Sequence, residues 1–163
     1  MKTNQKGFTL IEILVVIGII AILAAVVLLA INPARQFRLA NDSQRTSNVN
    51  AILNAIGQFM ADNNGALPAD ANDGVVGTFE TIGDDNATQA DICALLIPTY
   101  IPSLPTDPTT GDGNGDGTVD GNAVTACALY DTDYKIDIDA AGRVTIAADG
   151  QEPAGVNNIS VTR

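Results

Sequence analysis

The sequence predicts an α+β fold in which one long N-terminal helix packs on a small antiparallel sheet. Three observations lead to this prediction: an apolar run at residues 8–31, an amphipathic stretch at residues 48–60, and a distal region, residues 65–163, with short stretches of alternating apolar and polar residues. An amphipathic helix cannot bury its apolar stripe by itself, so we expect the stripe to carry the sheet.

The apolar run is long enough to cross a bilayer. Its 24 residues would form a helix of about 36 Å, compared with a hydrocarbon core of about 30 Å. Lys2 and Lys6 precede the run, but the cleavage site of a secretory signal peptide is missing, so we expect the run to be retained. Glu12 at its head would be costly at membrane depth unless it lies at the interface or has a partner.

The helix is predicted to continue beyond the membrane segment as residues 32–64. Asn32-Pro33 should bend or loosen it, because proline lacks an amide donor and its ring crowds the preceding turn. Asn63-Asn64-Gly65 is typical of a helix end. A coiled-coil seam is the less favoured alternative, because the apolar pattern is short. That pattern has spacings of three and four, at Val49, Ile52, Leu53, Ile56, Phe59 and Met60.

The first half of the head is predicted to contain little regular structure. A short strand is possible at residues 75–81, and Thr88-Gln89-Ala90-Asp91 is typical of a capping box that opens a short helix ending before Pro98. Residues 100–108 are punctuated by prolines, which excludes a helix or a central strand there.

The second half supplies the predicted sheet. Residues 123–130 are a strand candidate, and residues 134–138 and 144–146 alternate in polarity on either side of a turn at Gly142, which is typical of a hairpin. Residues 159–161 could add an edge strand.

Composition excludes several classes of function. The net charge is -11, so the chain should repel the phosphates of nucleic acids, and no direct nucleic-acid binding is expected. There is no histidine, which rules out Ser-His-Asp triads and zinc sites with histidine ligands. We predict that the protein is not an enzyme.

The string Gly7-Phe8-Thr9-Leu10-Ile11-Glu12, placed ahead of the apolar run, resembles the prepilin signature of type IV pilins and of the pseudopilins of type II secretion systems. The resemblance implies a pilin-like α+β architecture. It also implies that a membrane-embedded prepilin peptidase cleaves between Gly7 and Phe8, removes residues 1–7 as a leader peptide, and methylates the amino group of Phe8.

The same resemblance gives Glu12 a role in assembly. It implies that the Glu12 carboxylate faces the α-amino group of Phe8 on a neighbouring subunit while the helices pack into a filament. A paired buried charge is tolerable where a lone one is not, which agrees with that role. The alternative is a side chain that reaches the lipid headgroups.

By resemblance, the chain is expected to be a structural subunit of a type IV pilus-like filament. The implied partners are identical or related pilin subunits, prepilin peptidase, and the assembly machinery of a pilus or secretion system. The precursor would lie in the cytoplasmic membrane as a single-pass protein with its head outside, and later in an extracellular filament. The charge rule alone leaves this orientation undecided, because Arg35, Arg38 and Arg45 follow the apolar run.

Two alternative functions are kept. The first is a pseudopilin of a type II secretion system, since Leu104-Pro105-Thr106-Asp107-Pro108 is similar to the corresponding region of pseudopilins. The second is a membrane-anchored extracellular module that binds its partner in a calcium-dependent way.

Cys93 and Cys127 are the only cysteines, and in an exported domain such a pair predicts one disulfide. In the chain-entropy description a closed loop of this length stabilises a fold by about 4 kcal/mol. The alternative is two free buried thiols.

The acidic loop, residues 107–122, contains the one stretch with the pattern of a metal site. Its oxygen-bearing side chains and Gly117 follow the first part of the calcium loops found in EF-hands, dockerins and thrombospondin-type repeats. Ala123 stands where the last acidic ligand is usual, so Asp107 or another carboxylate would have to complete the shell. The alternative is a solvated acidic turn. The predicted calcium ligands are Asp112, Asn114, Asp116, the carbonyl of Thr118 and Asp120.

Overall fold

The computed structural model describes residues 7–68, 77–84 and 89–163. The chain forms two compact units, Met1–Phe37 and Arg38–Arg163. Three sequence predictions fall partly outside the described residues: the leader before Gly7, the start of the strand at residues 75–81, and Thr88 of the proposed capping box.

The first unit contains the apolar helix, α1 (Leu10–Ile31), in which no side chain is buried. The helix ends at Asn32, whose backbone is left-handed with φ 46°. A second helix, α2 (Pro33–Asp62), begins at the next residue. Proline suits the first position of a helix, because the amide it lacks would have no partner there. The predicted single helix is therefore two helices separated by one residue.

In the second unit, one face of α2 forms part of the core. The buried apolar residues of this face include Val49, Ile52, Leu53 and Ile56, as their spacing predicts. The chain leaves the helix through Gly65, whose N–H donates to the carbonyl of Met60 at 2.7 Å and whose φ is +85°. A positive φ favours glycine, so the predicted stop at this residue is explained by its backbone.

Within the described residues, the sheet has five strands in the order β2-β1-β3-β4-β5. The pairs β1–β3, β3–β4 and β4–β5 are antiparallel, whereas the two-residue β2 runs parallel to β1. The sheet is thus mixed, and the prediction of an antiparallel sheet is wrong for β2, because period-two alternation carries no information on strand direction. The strands are β1 (Glu80–Gly83), β2 (Gln89–Ala90), β3 (Asp131–Ile138), β4 (Val144–Gln151) and β5 (Ala154–Thr162).

The strand predicted at residues 123–130 is wrong. Only Val124 pairs there, in an isolated bridge with Leu104. Extended backbone cannot continue through Leu129, because its φ is +54°. The next strand, β3, begins at Asp131 and alternates regularly between partly and fully buried residues. The predicted short helix is a single turn, α3 (Cys93–Leu96).

Candidate functional site: the N-terminal segment and the polar sites of the head

The segment that carries the motif lies immediately ahead of α1. Gly7, Phe8 and Thr9 are outside the helix and exposed, and the Phe8 side chain retains 84% of its accessible surface. Thr9 has an extended backbone and forms the N-cap of α1. The peptide bond between Gly7 and Phe8 is therefore in a non-helical, uncovered stretch.

Glu12 has a partner within its own chain. Its Oε2 accepts hydrogen bonds from the N–H of Thr9 at 2.8 Å and from the Thr9 hydroxyl at 2.9 Å, while its own N–H donates to that hydroxyl at 3.3 Å. This reciprocal arrangement is a capping box. The sequence analysis missed it, although the pattern Thr-x-x-Glu at residues 9–12 is the signal that predicts it.

Helix α1 exposes its apolar side chains on every side. Within the described part of the chain it is the one helix that is long and apolar enough to cross a membrane. Uncovered apolar surface is unfavourable in water, so this helix requires lipid or other apolar helices around it.

The predicted disulfide is confirmed, because Cys93 and Cys127 are bonded and their Cα atoms lie 5.4 Å apart. Cys93 is fully buried in the core. Its N–H donates to the hydroxyl of Tyr130 at 3.3 Å, and that hydroxyl donates to Asp91 at 2.8 Å. Burial raises the pKa of Tyr130, and the nearby Asp91 carboxylate adds to the effect.

In the acidic loop, the predicted calcium ligands bond to the loop itself. Asp112 accepts the N–H groups of Gly115 and Gly117, each at 2.7 Å. Asp116 accepts the N–H of Thr118 at 2.8 Å, and also its hydroxyl. These bonds fold the loop by satisfying carboxylates with main-chain donors.

Two further predicted ligands, Asp120 and Asn114, are bonded within the loop as well. Asp120 accepts the N–H of Asn122 at 2.9 Å, and this bond lowers the pKa of the Asp120 carboxyl. The amide of Asn114 donates to Asp116 at 3.2 Å.

In this arrangement the predicted ligands are bonded to donors of the loop itself. Within residues 7–68, 77–84 and 89–163, no group of three or more His, Cys, Asp or Glu side chains converges as a metal site requires. Asp107 cannot complete the shell as suggested, because Arg45 occupies both of its carboxylate oxygens. Calcium stays a prediction from the sequence.

A buried ionic cluster that the sequence analysis did not anticipate lies at the start of the acidic loop. Arg45 of α2 retains only 2% of its accessible surface. It donates to the two carboxylate oxygens of Asp107 at 2.5 and 2.8 Å, to Asp42 at 2.7 Å, and to the Thr109 hydroxyl at 2.6 Å. Burial by itself raises the pKa of Asp107, but the hydrogen bonds from Arg45 and Thr109 outweigh it and leave this pKa below its usual value.

The cluster joins α2 to two separate parts of the head. Asp42 accepts the N–H groups of Gln151 and Glu152, at 2.9 and 2.7 Å, at the connection between β4 and β5. Asn48, about one turn beyond Arg45 in α2, donates to the hydroxyl of Tyr134 at 2.8 Å and to the carbonyl of Thr106 at 3.3 Å. Arg45 therefore belongs to the interior of the head rather than to the membrane-flanking charges.

Comparison with known proteins finds a match in the N-terminal region. A family model described as a prokaryotic N-terminal methylation motif matches residues 2–28. A relative, the type IV wide pilus major component PilA4 of Thermus thermophilus, is 48% identical over 61 residues, which are 37% of this chain and 45% of that protein. The chain thus matches less than half the length of this relative. No solved structure matches the chain.

Proposed function

We propose that this chain is a structural subunit of a type IV pilus-like filament, because its N-terminal region matches a prokaryotic N-terminal methylation motif and part of the chain is similar to a type IV pilus component. The observation that carries the proposal is the combination of the methylation motif with α1, an apolar helix none of whose residues is buried by the described part of the chain. Such a helix can serve as a membrane anchor first and as the core of a filament later.

Processing would come before assembly. A prepilin peptidase would cut between Gly7 and Phe8 and methylate the new amino group of Phe8. The exposure of both residues ahead of α1 supports this step, since a peptidase must bind its substrate peptide outside a helix.

Assembly would exchange one partner of Glu12 for another. In the single subunit the Thr9 donors hold the carboxylate. In the filament the α-amino group of Phe8 on a neighbouring subunit would take over, because a positive charge offsets the desolvation of a carboxylate better than a hydroxyl does.

Before assembly the subunit would lie in the cytoplasmic membrane, crossing it once with its head outside. Identical or related subunits would then join it in a surface filament built by a pilus or secretion machinery. The relative is a pilus component by name, which favours a pilus over the secretion pseudopilus, the alternative within the family.

The processing step is tested by mass spectrometry of the full chain isolated from cells with and without prepilin peptidase. We expect a mature N-terminus at methylated Phe8 only when the peptidase is present, and its loss in Gly7→Ala. The matched control is Gly18→Ala, a glycine of α1 with open space around its Cβ position, which should be processed normally. An unmethylated or different N-terminus in the presence of the peptidase would contradict the proposal.

Assembly is tested with Glu12→Ala. We expect the processed variant to remain in the membrane but to be absent from sheared surface filaments, while Glu80→Ala, which removes a carboxylate of the head, assembles. If Glu12→Ala assembled like the unmodified chain, the assembly role of Glu12 would be wrong, whereas absence of the unmodified chain itself from sheared surface filaments would favour a stably anchored binding module.

A further inference from the structure

One apolar side chain of the head, that of Leu129, is held in an unusual position. It retains 65% of its accessible surface, and its backbone is left-handed at φ +54°, a region that leucine seldom occupies. Its N–H donates to the carboxylate of Asp84 at 2.7 Å, and its carbonyl packs against Gly115, where a Cβ atom would collide with it. Strained backbone that is held by contacts on both sides commonly marks a functional position.

A mostly apolar groove, which matches the apolar side chain of Leu129, lies between α2 and the sheet. Its volume is about 180 Å³, and a cavity of about 150 Å³ suffices for a benzene molecule, so a leucine side chain can enter it. Gly57 leaves part of the helix surface open there, since nothing lies within 4 Å of its Cβ position. The groove is lined by Leu53, Ile56, Gly57, Met60, Val144 and Arg163.

The two features lie at opposite ends of the sheet. Leu129 lies two residues before Asp131, the first residue of β3, whereas Val144 of the groove pairs with Ile138, the last residue of that strand. With eight residues at about 3.3 Å each, the ends of β3 are roughly 25 Å apart. Leu129 therefore cannot reach the groove of its own head, but a second copy displaced along the strands can present it there.

Charge favours another copy of the same chain as the occupant. Leu129 is flanked by Asp84 and by the acidic loop that contains Gly115. The groove contains one charged lining residue, and that residue is the cation Arg163. Arg163 also donates to the Asn54 side chain at 2.6 Å, which holds its guanidinium beside the groove. On a chain with a net charge of -11, this single cation is a place that the acidic end of a second copy can approach.

We propose that Leu129 of one copy seats in the α2–sheet groove of the next copy, and that this forms a head-to-tail contact between heads. A heterologous contact of this kind joins different surfaces and propagates into rings or open filaments rather than closed pairs. The inference rests on the proposed filament and adds a second set of contacts to those of α1.

The contact is tested by photocrosslinking of the full chain with benzoylphenylalanine at position 129, in membranes and in sheared filaments. We expect an intermolecular crosslink to the α2 peptide that contains Gly57 and Met60. The matched control carries the probe at Val156, which is 75% exposed but outside this pair of features, and should not label that peptide.

The outcomes distinguish the proposed contact between heads from the proposed filament. Filaments without the crosslink would overturn the contact alone. The crosslink in membranes without filaments would support the contact and overturn the proposed filament. Absence of both would overturn both, and labelling of an unrelated protein or of lipid from position 129 would also reject a second copy as the occupant.

Two substitutions give an independent measurement. Leu129→Gly removes the side chain and relieves the left-handed backbone, so we expect at least tenfold fewer filaments with an unchanged or higher thermal midpoint of the unassembled chain. Gly57→Leu fills the groove from its own side and should reduce filament yield similarly, whereas Val156→Ala, at an exposed position of the head outside both features, should not. Normal filament yield in both Leu129→Gly and Gly57→Leu would overturn the contact.

Discussion

Helices α1 and α2 follow one another in the chain, yet they satisfy their apolar surfaces in opposite ways. Helix α1 is apolar all round and has no buried residue, whereas α2 is amphipathic and buries its stripe in the head. The partner of α2 is thus encoded in the same chain. No described residue buries α1, and under our proposal lipid covers it first and other subunits cover it later.

The largest effect on stability is expected from removing Arg45, which joins α2 to the rest of the head. Arg45→Ala leaves Asp107 and Asp42 without their cation, and uncompensated buried charge costs about 3–5 kcal/mol. We expect a loss of this size in the free energy of unfolding of the full chain in detergent micelles, measured by denaturant titration.

The control for this prediction is Arg143→Ala. Arg143 pairs with Asp139 but its side chain is 66% exposed, so its removal should change stability by no more than about 1 kcal/mol. Equal effects for the two arginines would show that the buried cluster does not secure the helix.

Two isoleucine substitutions, one in each helix, test whether only α2 contributes to the stability of the head. Ile52→Ala in α2 should cost about 2–5 kcal/mol, because a fully buried side chain leaves a cavity. Ile17→Ala in α1 should leave the unfolding of the head unchanged and lower only membrane retention or filament yield, because that side chain is exposed. Head unfolding by circular dichroism measures the first effect. A similar loss from Ile17→Ala would contradict the contrast between the two helices.

The disulfide should matter for the head alone. Replacing Cys93 and Cys127 together with alanine is expected to lower the free energy of unfolding by about 2–4 kcal/mol, since the loop between them is no longer closed in the unfolded chain. Denaturant titration with and without reductant measures this effect, and only the unmodified chain should respond to reductant. A reductant-insensitive unmodified chain would rule out a stabilising bond.

Low pH should weaken the attachment of α2 to the rest of the head, by less than the substitutions described above. The pKa values of Asp42 and Asp107 are lowered in the fold by their hydrogen bonds, despite burial. Their contribution is therefore complete above their unfolded pKa of about 3.9 and is lost as the pH falls through the lower folded values. Asp133 acts in the opposite direction, because burial raises its pKa.

Thermal midpoints between pH 7 and pH 2.5 measure this dependence, with Asp139→Asn as the control. Asp139 also has a lowered pKa, but it lies outside the cluster and is bonded to Arg143. A midpoint that stays constant down to pH 2.5 would contradict the assigned role of Asp42 and Asp107.

The parts of the fold that were predicted correctly depend on local patterns. The α2 stripe follows from spacings of three and four, the β3–β4 hairpin from alternation, and the helix end from Gly65. The strand expected at residues 123–130 failed because local alternation could not reveal the left-handed backbone of Leu129. The capping box of Thr9 and Glu12 was readable from its spacing, but the carboxylate was interpreted through its cost in the membrane and through an expected partner on a neighbouring subunit.

Consecutive residues were enough to predict an N-terminal segment that resembles a prepilin signature, which also matches an N-terminal methylation motif, followed by a membrane-length helix. Motif and apolar length are properties of neighbours in the chain, so no fold is needed to read them. The interior position of Arg45, in contrast, emerged only from the folded head, because its partner Asp107 lies 62 positions away and their pairing depends on packing. That pairing also withdrew Asp107 from the acidic loop, where the sequence pattern had suggested it as a calcium ligand.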